Sequence, residues 1–107
     1  MTNATVVRYT TRPDCADENE RLIGAVFRAL ADQQPTGLHY TAVRLDDGVS
    51  FVHLAWHDDD NHNPLTSLAE FQAFTAGIAG RCVEGPIAVT GTPVGSYSRD
   101  DSGHLES

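Results

Sequence analysis

The spacing of apolar residues divides the chain into strands and helices. Residues 5–11 favour a strand, because β-branched and aromatic side chains suit a pleated sheet, and Arg12-Pro13-Asp14 ends it. Residues 14–33 favour a helix that Asp14 caps and whose apolar side chains recur at i, i+3, i+4 and i+7. That apolar stripe consists of Ile23, Val26, Phe27 and Leu30.

Two strand-like runs, 38–46 and 49–57, flank the dipeptide Asp47-Gly48. An Asp-Gly loop of two residues is typical of a hairpin in which both loop residues have positive φ. This loop sets the register, so that Tyr40 opposes Ala55, Ala42 opposes His53 and Arg44 opposes Phe51.

Alternation along the hairpin separates two faces. The more apolar face is expected to meet the helices; it contains His39, Thr41, Val43, Leu45, Ser50, Val52, Leu54 and Trp56. The other face is mixed and is expected to turn away from the helices; it contains Tyr40, Arg44, Phe51, His53 and His57.

The second half of the chain repeats the helix and strand pattern. Ser67 and Glu70 fit a capping box, so we expect a second helix from about Ser67 to residues 80–82. Residues 87–97 favour a last strand, with Pro93 at an edge position or a bulge. We expect one domain over residues 1–98 and a flexible polar tail over 99–107.

The predicted order of strand, helix, strand, strand, helix, strand indicates an α+β, ferredoxin-like βαββαβ fold. Its four-stranded antiparallel sheet has the strand order 4-1-3-2, with both helices on one face. The other face needs a cover, and a second copy related by a two-fold axis can provide one. We therefore expect a homodimer that closes into an α/β barrel.

The composition of the chain excludes some classes of binding partner and of chemistry. The 107 residues carry a net charge of −8, which disfavours nucleic acid. All seven cationic residues are Arg, so Schiff-base chemistry on a Lys and a P-loop with its Lys are excluded. No signal segment and no long apolar run is visible, so we expect a cytoplasmic protein with no membrane partner. Cys15 and Cys82 are expected to be free thiols.

Three groups of residues could carry chemistry. Tyr40, Arg44 and His53 share a face and could orient a phenol, hold an oxyanion and move a proton, or could form a polar part of a dimer interface. Trp56 opposes His39, and with Phe27 and Phe74 it could line a pocket for a small aromatic ligand, or simply pack the core. The acidic loop 57–62 is expected to be a solvated loop and not a metal site.

Several segments together resemble the dimeric α/β-barrel superfamily, and most of all its antibiotic-biosynthesis monooxygenase-like group. They are the strand end Arg8-Tyr9-Thr10-Thr11-Arg12-Pro13, the Asp47-Gly48 hairpin, the strand Phe51-Val52-His53-Leu54-Ala55-Trp56 and the helix start Ser67-Leu68-Ala69-Glu70-Phe71-Gln72-Ala73-Phe74. The resemblance covers roughly residues 4–98.

The resemblance implies a function as well as a fold. Members often place an aromatic residue near the ligand pocket at the end of the third strand, where this chain has Trp56. Haem-degrading members carry a His on the second helix, whereas residues 67–80 contain none, so no haem and no other cofactor is expected. Quinone-forming members use Asn, Trp, Tyr and Arg around a phenolic substrate, and Trp56, Tyr40 and Arg44 provide three of these residue types.

We therefore expect a cofactor-independent monooxygenase acting on a phenolic or polycyclic aromatic molecule. Its catalytic residues would be His53, Arg44 and Tyr40, and its ligand-binding residues Trp56, His39, Phe27 and Phe74. The alternative is a non-catalytic dimeric module that binds a small ligand or serves assembly. The two differ in whether anthrone-like or hydroquinone substrates are oxidised in air.

Overall fold

The structure, a computed structural model, describes residues 3–58 and 64–97. Four strands form one antiparallel sheet in the order β2-β3-β1-β4, with the helices on one side, which confirms the predicted ferredoxin-like α+β fold. The elements are β1 (Ala4–Thr11), α1 (Ala16–Gln33), β2 (Leu38–Arg44), β3 (Ser50–His57), α2 (Ala69–Ala76), α3 (Ile78–Arg81) and β4 (Cys82–Gly91). Short 3₁₀ helices span Pro13–Cys15 and Pro64–Ser67.

The hairpin between β2 and β3 has the predicted register, with Tyr40 opposite Ala55, Ala42 opposite His53 and Arg44 opposite Phe51. Its turn differs from the prediction. Gly48 N–H donates to the Leu45 carbonyl, and only Gly48 has positive φ, at 80°. The Asp47 carboxylate accepts hydrogen bonds from the backbone N–H groups of Val49 and Ser50. The turn is therefore centred on Asp46-Asp47, with Gly48 taking the left-handed position that ends it.

The predicted assignment of the two hairpin faces is wrong. Phe51 is fully buried and His53 is 5% exposed, whereas Val43 is 48% and Leu45 is 41% exposed. The mixed face packs on the helices because its aromatic rings are large and because its polar atoms hydrogen-bond to one another inside. Consequently, the face that lacks helices is the apolar one.

The predicted helix caps are also wrong. The N-cap of helix α1 is Cys15, and Asp14 lies in the 3₁₀ helix that precedes α1. Neither the 3₁₀ helix nor α1 has a side-chain hydrogen bond at its N-cap. Helix α2 has Leu68 at its N-cap, and the Ser67 hydroxyl donates to the Pro64 carbonyl instead. The second helical segment ends at Arg81 as expected, although Gly77 divides it into α2 and α3.

Strand β4 starts five residues earlier than predicted and ends at Gly91, before Pro93. Its pairing with β1 shifts register between Arg8 and Thr10, opposite Gly85 and Pro86. Proline has no N–H to give to a sheet, so it is tolerated where the ladder is interrupted. The bulge expected at Pro93 therefore lies around Pro86, and the strand continues on both sides of it.

The core lies between the sheet and the helices. Its buried members are Tyr9, Ile23, Val26, Phe51, Leu65, Leu68 and Phe74. Both cysteines are free thiols, as predicted. None of the helices within residues 3–58 and 64–97 has the length and apolar character needed to cross a bilayer. The predicted tail 99–107 and most of the acidic loop 57–62 fall outside the described residues.

Candidate active site

A cavity of about 370 Å³ lies between the helical face of the sheet and the segment 65–78. Its volume falls in the range of small-molecule sites, roughly 300–1,000 Å³. The strands contribute Val7, Tyr9, Leu38, Tyr40, His53 and Ala55 to its wall, and the helical segment contributes Leu65, Phe71, Phe74 and Ile78. No Asp, Glu, Lys or Arg of the described residues lines it, so the cavity favours an uncharged ligand.

Three polar side chains are joined in the cavity wall. The Tyr9 hydroxyl lies 2.8 Å from His53 Nε2, and the Tyr40 hydroxyl lies 2.8 Å from His53 Nδ1. The pairing of β1 with β3 and of β3 with β2 brings these three strands side by side, with all three side chains on the same face. The imidazole is therefore held at both nitrogens.

The hydrogen bonds continue beyond the cavity into α1 and α3. Asn19 Nδ2 donates to the Tyr9 hydroxyl oxygen over 2.8 Å. Arg81 Nε in turn donates to Asn19 Oδ1 over 3.0 Å, and another guanidinium nitrogen donates to the Phe74 carbonyl. Arg81, Asn19, Tyr9, His53 and Tyr40 thus form one chain of hydrogen bonds, which we call the relay.

Burial determines the charge states of the relay. Desolvation lowers the pKa of His53 to about 4, so its imidazole is neutral at pH 7. Desolvation also raises the pKa of Tyr9 to about 12, against a smaller opposing effect of the hydrogen bond from Asn19. The pKa of Tyr40 is raised as well, first by desolvation and then by its proximity to Tyr9. Near neutral pH both phenols keep their protons.

Aromatic rings fix the orientation of Tyr40. Phe27 stacks on it with ring centroids 4.8 Å apart and planes 9° apart, and Phe71 meets it edge-on at 6.4 Å. Phe74 lies 5.4 Å from the His53 ring. These contacts hold the Tyr40 ring in place, with its hydroxyl in a cavity wall that also contains the rings of Phe71 and Phe74. Such a wall suits a flat aromatic ligand that carries an oxygen.

The residues predicted as catalytic separate into two places. His53 and Tyr40 are hydrogen-bonded to each other at the cavity. Arg44 does not line the cavity; its guanidinium binds Glu20 at 2.6 Å and Asp17 at 3.2 Å on the surface of α1. The hydrogen bond that Arg44 donates to Glu20 accordingly raises the pKa of Arg44. These contacts engage the Arg44 guanidinium away from the cavity, and a catalytic role for Arg44 stays a prediction.

The residues predicted to bind ligand also differ in position. Phe74 lines the cavity, and Trp56 borders it although Trp56 belongs to the outer face of the sheet. Phe27 does not line the cavity and stacks on Tyr40 instead. His39 stacks on Trp56 at 4.8 Å and lies outside, with Nε2 3.2 Å from the Asp58 carboxylate. Their roles in binding stay predictions.

Sequence reasoning missed Tyr9, Asn19 and Arg81. Asn19 lies four residues before Ile23, so it extends the apolar stripe of α1 by one turn. A polar residue on a buried stripe needs a partner, and that was the available signal. Tyr9 and Arg81 carry no comparable signal, because their proximity depends on strand pairing and on the position of α3.

No protein-family model matches the sequence, and none of the curated proteins matches it either. Solved structures do match. Rv0793 from Mycobacterium tuberculosis is 16% identical with a TM-score of 0.71, over 92% of this chain and all of that one. An antibiotic biosynthesis monooxygenase is 15% identical with a TM-score of 0.70, over 89% of this chain and all of that one.

A third similar structure is a variant of SnoaB, a cofactor-independent oxygenase from Streptomyces nogalater. It is 19% identical with a TM-score of 0.63, over 89% of this chain and 95% of that one. At such identities the likeness concerns the fold. The predicted resemblance to the antibiotic-biosynthesis monooxygenase-like group is confirmed at that level.

Proposed function

We propose that the cavity binds an uncharged phenolic or polycyclic aromatic molecule and that the protein oxygenates it with O₂ and no cofactor. The observation that carries this proposal is the Tyr40 hydroxyl, held by His53 in a largely apolar wall that includes the rings of Phe71 and Phe74. The fold shared with SnoaB, described as a cofactor-independent oxygenase, supports it. Fold alone does not define a reaction, so the side chains at the cavity are the stronger argument.

The reaction for an anthrone-type substrate balances as follows. The enol form loses its O–H proton to water, and the resulting oxyanion passes one electron to O₂. The superoxide and the substrate radical combine at the ring carbon opposite the oxygen, and a proton completes a hydroperoxide. Loss of the hydrogen on that carbon and cleavage of the O–O bond release water and leave a second carbonyl. Substrate and O₂ thus give quinone and water, with four electrons passing from substrate to O₂.

In this proposal Tyr40 donates a hydrogen bond to the substrate oxygen as negative charge develops on it. His53 positions Tyr40 and does not act as the base, because both its nitrogens are engaged and its pKa is lowered to about 4. Phe71 and Phe74 flank the substrate ring, and Trp56 borders the cavity. Arg44 and His39 have no part in this version of the site.

The experiment is the oxidation of 1,8-dihydroxyanthrone in air, with quinone absorbance and O₂ consumption followed together. The wild-type protein should raise the rate above buffer and consume one O₂ per quinone. Tyr40→Phe should lower the rate roughly a hundredfold, the effect of losing one donor to a developing oxyanion. Tyr97→Phe is the matched control, since Tyr97 is 84% exposed, and should have no effect.

A second candidate is a non-catalytic module that binds the same kind of ligand. The absence of a strong base in the relay, with His53 neutral and fully engaged, favours it. Binding of anthrones with no rate above buffer, for this and for hydroquinone substrates, would select this function and reject the oxygenase.

We also propose that a second copy of the chain covers the outer face of the sheet. That face contains exposed apolar side chains on both edge strands, among them Val43, Ile87 and Val89. Light scattering should give roughly twice the chain mass of 11.6 kDa. Val89→Glu should give the monomer, whereas Val94→Glu, at a residue that is 99% exposed and beyond β4, should not. A wild-type monomer would refute the dimer. The predicted cytoplasmic location stays a prediction.

A further inference from the structure

The relay is buried along most of its length and connects α3, α1 and the sheet. Asn19 is fully buried, Tyr9 and His53 are nearly so, and Arg81 is 8% exposed. It begins at α3, passes through α1 and ends at the sheet, where Tyr40 faces the cavity. Asn19 and Arg81 do not line the cavity themselves, so any influence they have on a ligand passes through Tyr9 and His53.

The chemistry of arginine decides which atom donates and which accepts in each hydrogen bond of the relay, which we call the direction of the relay. A guanidinium has N–H donors and no acceptor, so Arg81 must meet the oxygen of the Asn19 amide. The amide nitrogen of Asn19 then faces Tyr9 and donates to its oxygen. Turning the amide round would place its NH₂ against the Arg81 N–H and its oxygen against Tyr9, and would leave two buried donors facing each other.

The direction of the relay also fixes which nitrogen of the His53 imidazole carries the hydrogen. Because the Asn19 amide nitrogen is a donor, the Tyr9 hydroxyl hydrogen would be buried without an acceptor unless it is donated to His53 Nε2. That nitrogen is therefore the unprotonated one. A neutral imidazole has one N–H, which therefore lies on Nδ1 and donates to the Tyr40 oxygen. The hydrogen of Tyr40 keeps no partner among residues 3–58 and 64–97, and Tyr40 lines the cavity.

We infer that Asn19 and Arg81 are specificity-determining positioning residues. By fixing which atom donates in each hydrogen bond of the relay, they make Tyr40 a hydrogen-bond donor towards the cavity. The cavity therefore selects ligands with an acceptor oxygen, a carbonyl or oxyanion. A ligand that offers only a hydrogen-bond donor faces the O–H of Tyr40, forms no hydrogen bond with it and gains no affinity from it. This inference rests on the proposed ligand site and deepens it. It also explains why an arginine is buried without any carboxylate partner among the described residues.

Asn19→Asp reverses the relay with almost no change in shape. The carboxylate accepts from Arg81 and also from the Tyr9 hydroxyl, so Tyr9 no longer donates to His53. His53 must then carry its hydrogen on Nε2 and accept at Nδ1 from Tyr40, which turns an oxygen lone pair towards the cavity. Arg81 neutralises the new charge, so the variant should fold. Gln33→Glu, the same chemical change at an exposed position of α1, is the matched control.

The first measurement is the ¹⁵N spectrum of His53 in the full-length protein. Wild type and Gln33→Glu should have an unprotonated Nε2 and a protonated Nδ1, and Asn19→Asp should have the two exchanged. Tyr40→Phe should keep the wild-type tautomer, because it removes only the last member. An Nε2–H tautomer in wild type, or no exchange in Asn19→Asp, would overturn the inference without affecting the proposed oxygenation.

The second measurement is the affinity for three planar tricyclic molecules. Fluorenone offers an acceptor, carbazole offers an N–H donor and fluorene offers neither. Wild type should bind fluorenone roughly two- to tenfold more tightly than fluorene, the value of one hydrogen bond, and carbazole no more tightly than fluorene. Asn19→Asp should lose the fluorenone preference and gain one for carbazole. An unchanged preference would overturn the inference alone, whereas no binding of any of the three by wild type would overturn the ligand site with it.

Discussion

His53 should make the stability of the protein depend on pH in a way that one substitution removes. Its pKa falls from 6.5, the ordinary value, to about 4 in the folded protein, because burial disfavours the imidazolium. The groups that face it are the hydroxyls of Tyr9 and Tyr40 and the ring of Phe74, and these offer no negative charge near neutral pH. The unfolded chain therefore takes up a proton on His53 at a pH where the folded chain does not.

The sign and the magnitude of this pH dependence follow from the linkage between proton binding and folding. Above pH 6.5 both states are neutral at His53 and its contribution is constant. As the pH falls from 6.5 to about 4, the unfolded state is stabilised by protonation, so the free energy of unfolding falls by about 1.4 kcal/mol per pH unit. Over the difference of about 2.5 pH units the loss reaches roughly 3 kcal/mol. Below pH 4 the folded state is protonated as well, and the loss stops.

The assay is urea denaturation of wild type and His53→Gln at several pH values between 7 and 4.5. Glutamine keeps a donor and an acceptor for the two tyrosines but does not titrate. Carboxylates titrate in both proteins, so the difference between the two curves isolates His53. Wild type should lose about 2 kcal/mol more than the variant by pH 4.5. His39→Gln, at a half-exposed histidine, should follow wild type. Parallel curves for wild type and His53→Gln would refute the reasoning.

Three further predictions concern packing, the site and the backbone. Phe74→Ala should lower the free energy of unfolding by about 3–5 kcal/mol in urea denaturation, because it removes a buried ring from the core; a loss under about 1 kcal/mol would contradict that packing. Arg44→Ala should leave the rate of anthrone oxidation within about twofold of wild type, because Arg44 lies outside the cavity. A tenfold fall in the rate would show that Arg44 takes part in the reaction. Gly85→Ala should cost about 1–3 kcal/mol in thermal denaturation, because its φ is +83° and a Cβ would lie 2.9 Å from the Arg8 carbonyl. Gly91→Ala, with nothing within 4 Å of a Cβ, should cost much less.

The sequence carried the topology of the fold because each element has a strong local signal. The i, i+3, i+4 stripe of α1 and the pairing of residues 38–46 with 49–57 depend on spacing alone, and the structure keeps both. The choice of hairpin face failed because a count of apolar residues treats Tyr40 and His53 as polar. Inside the protein these two satisfy each other, and their rings offer more area for packing than Val43 and Val52 on the other face of the hairpin.

Two residues of the relay could be predicted from the sequence, and the other three could not. Tyr40 and His53 lie diagonally across the hairpin, so register alone brings them together. Tyr9, Asn19 and Arg81 reach them through long-range placement: Asn19 and Arg81 are 62 residues apart in sequence. Arg44 shares the face of Tyr40, but the two carboxylates on α1 bind its guanidinium, and no pattern within the hairpin could indicate that.

The most direct test of the central claim is where a flat aromatic ligand binds. A nuclear Overhauser experiment on the wild-type protein with fluorenone should give contacts from the ligand protons to the rings of Tyr40, Phe71 and Phe74, which line the cavity. Contacts confined to Val43 and Val89 on the outer face of the sheet would place the ligand elsewhere and contradict the account.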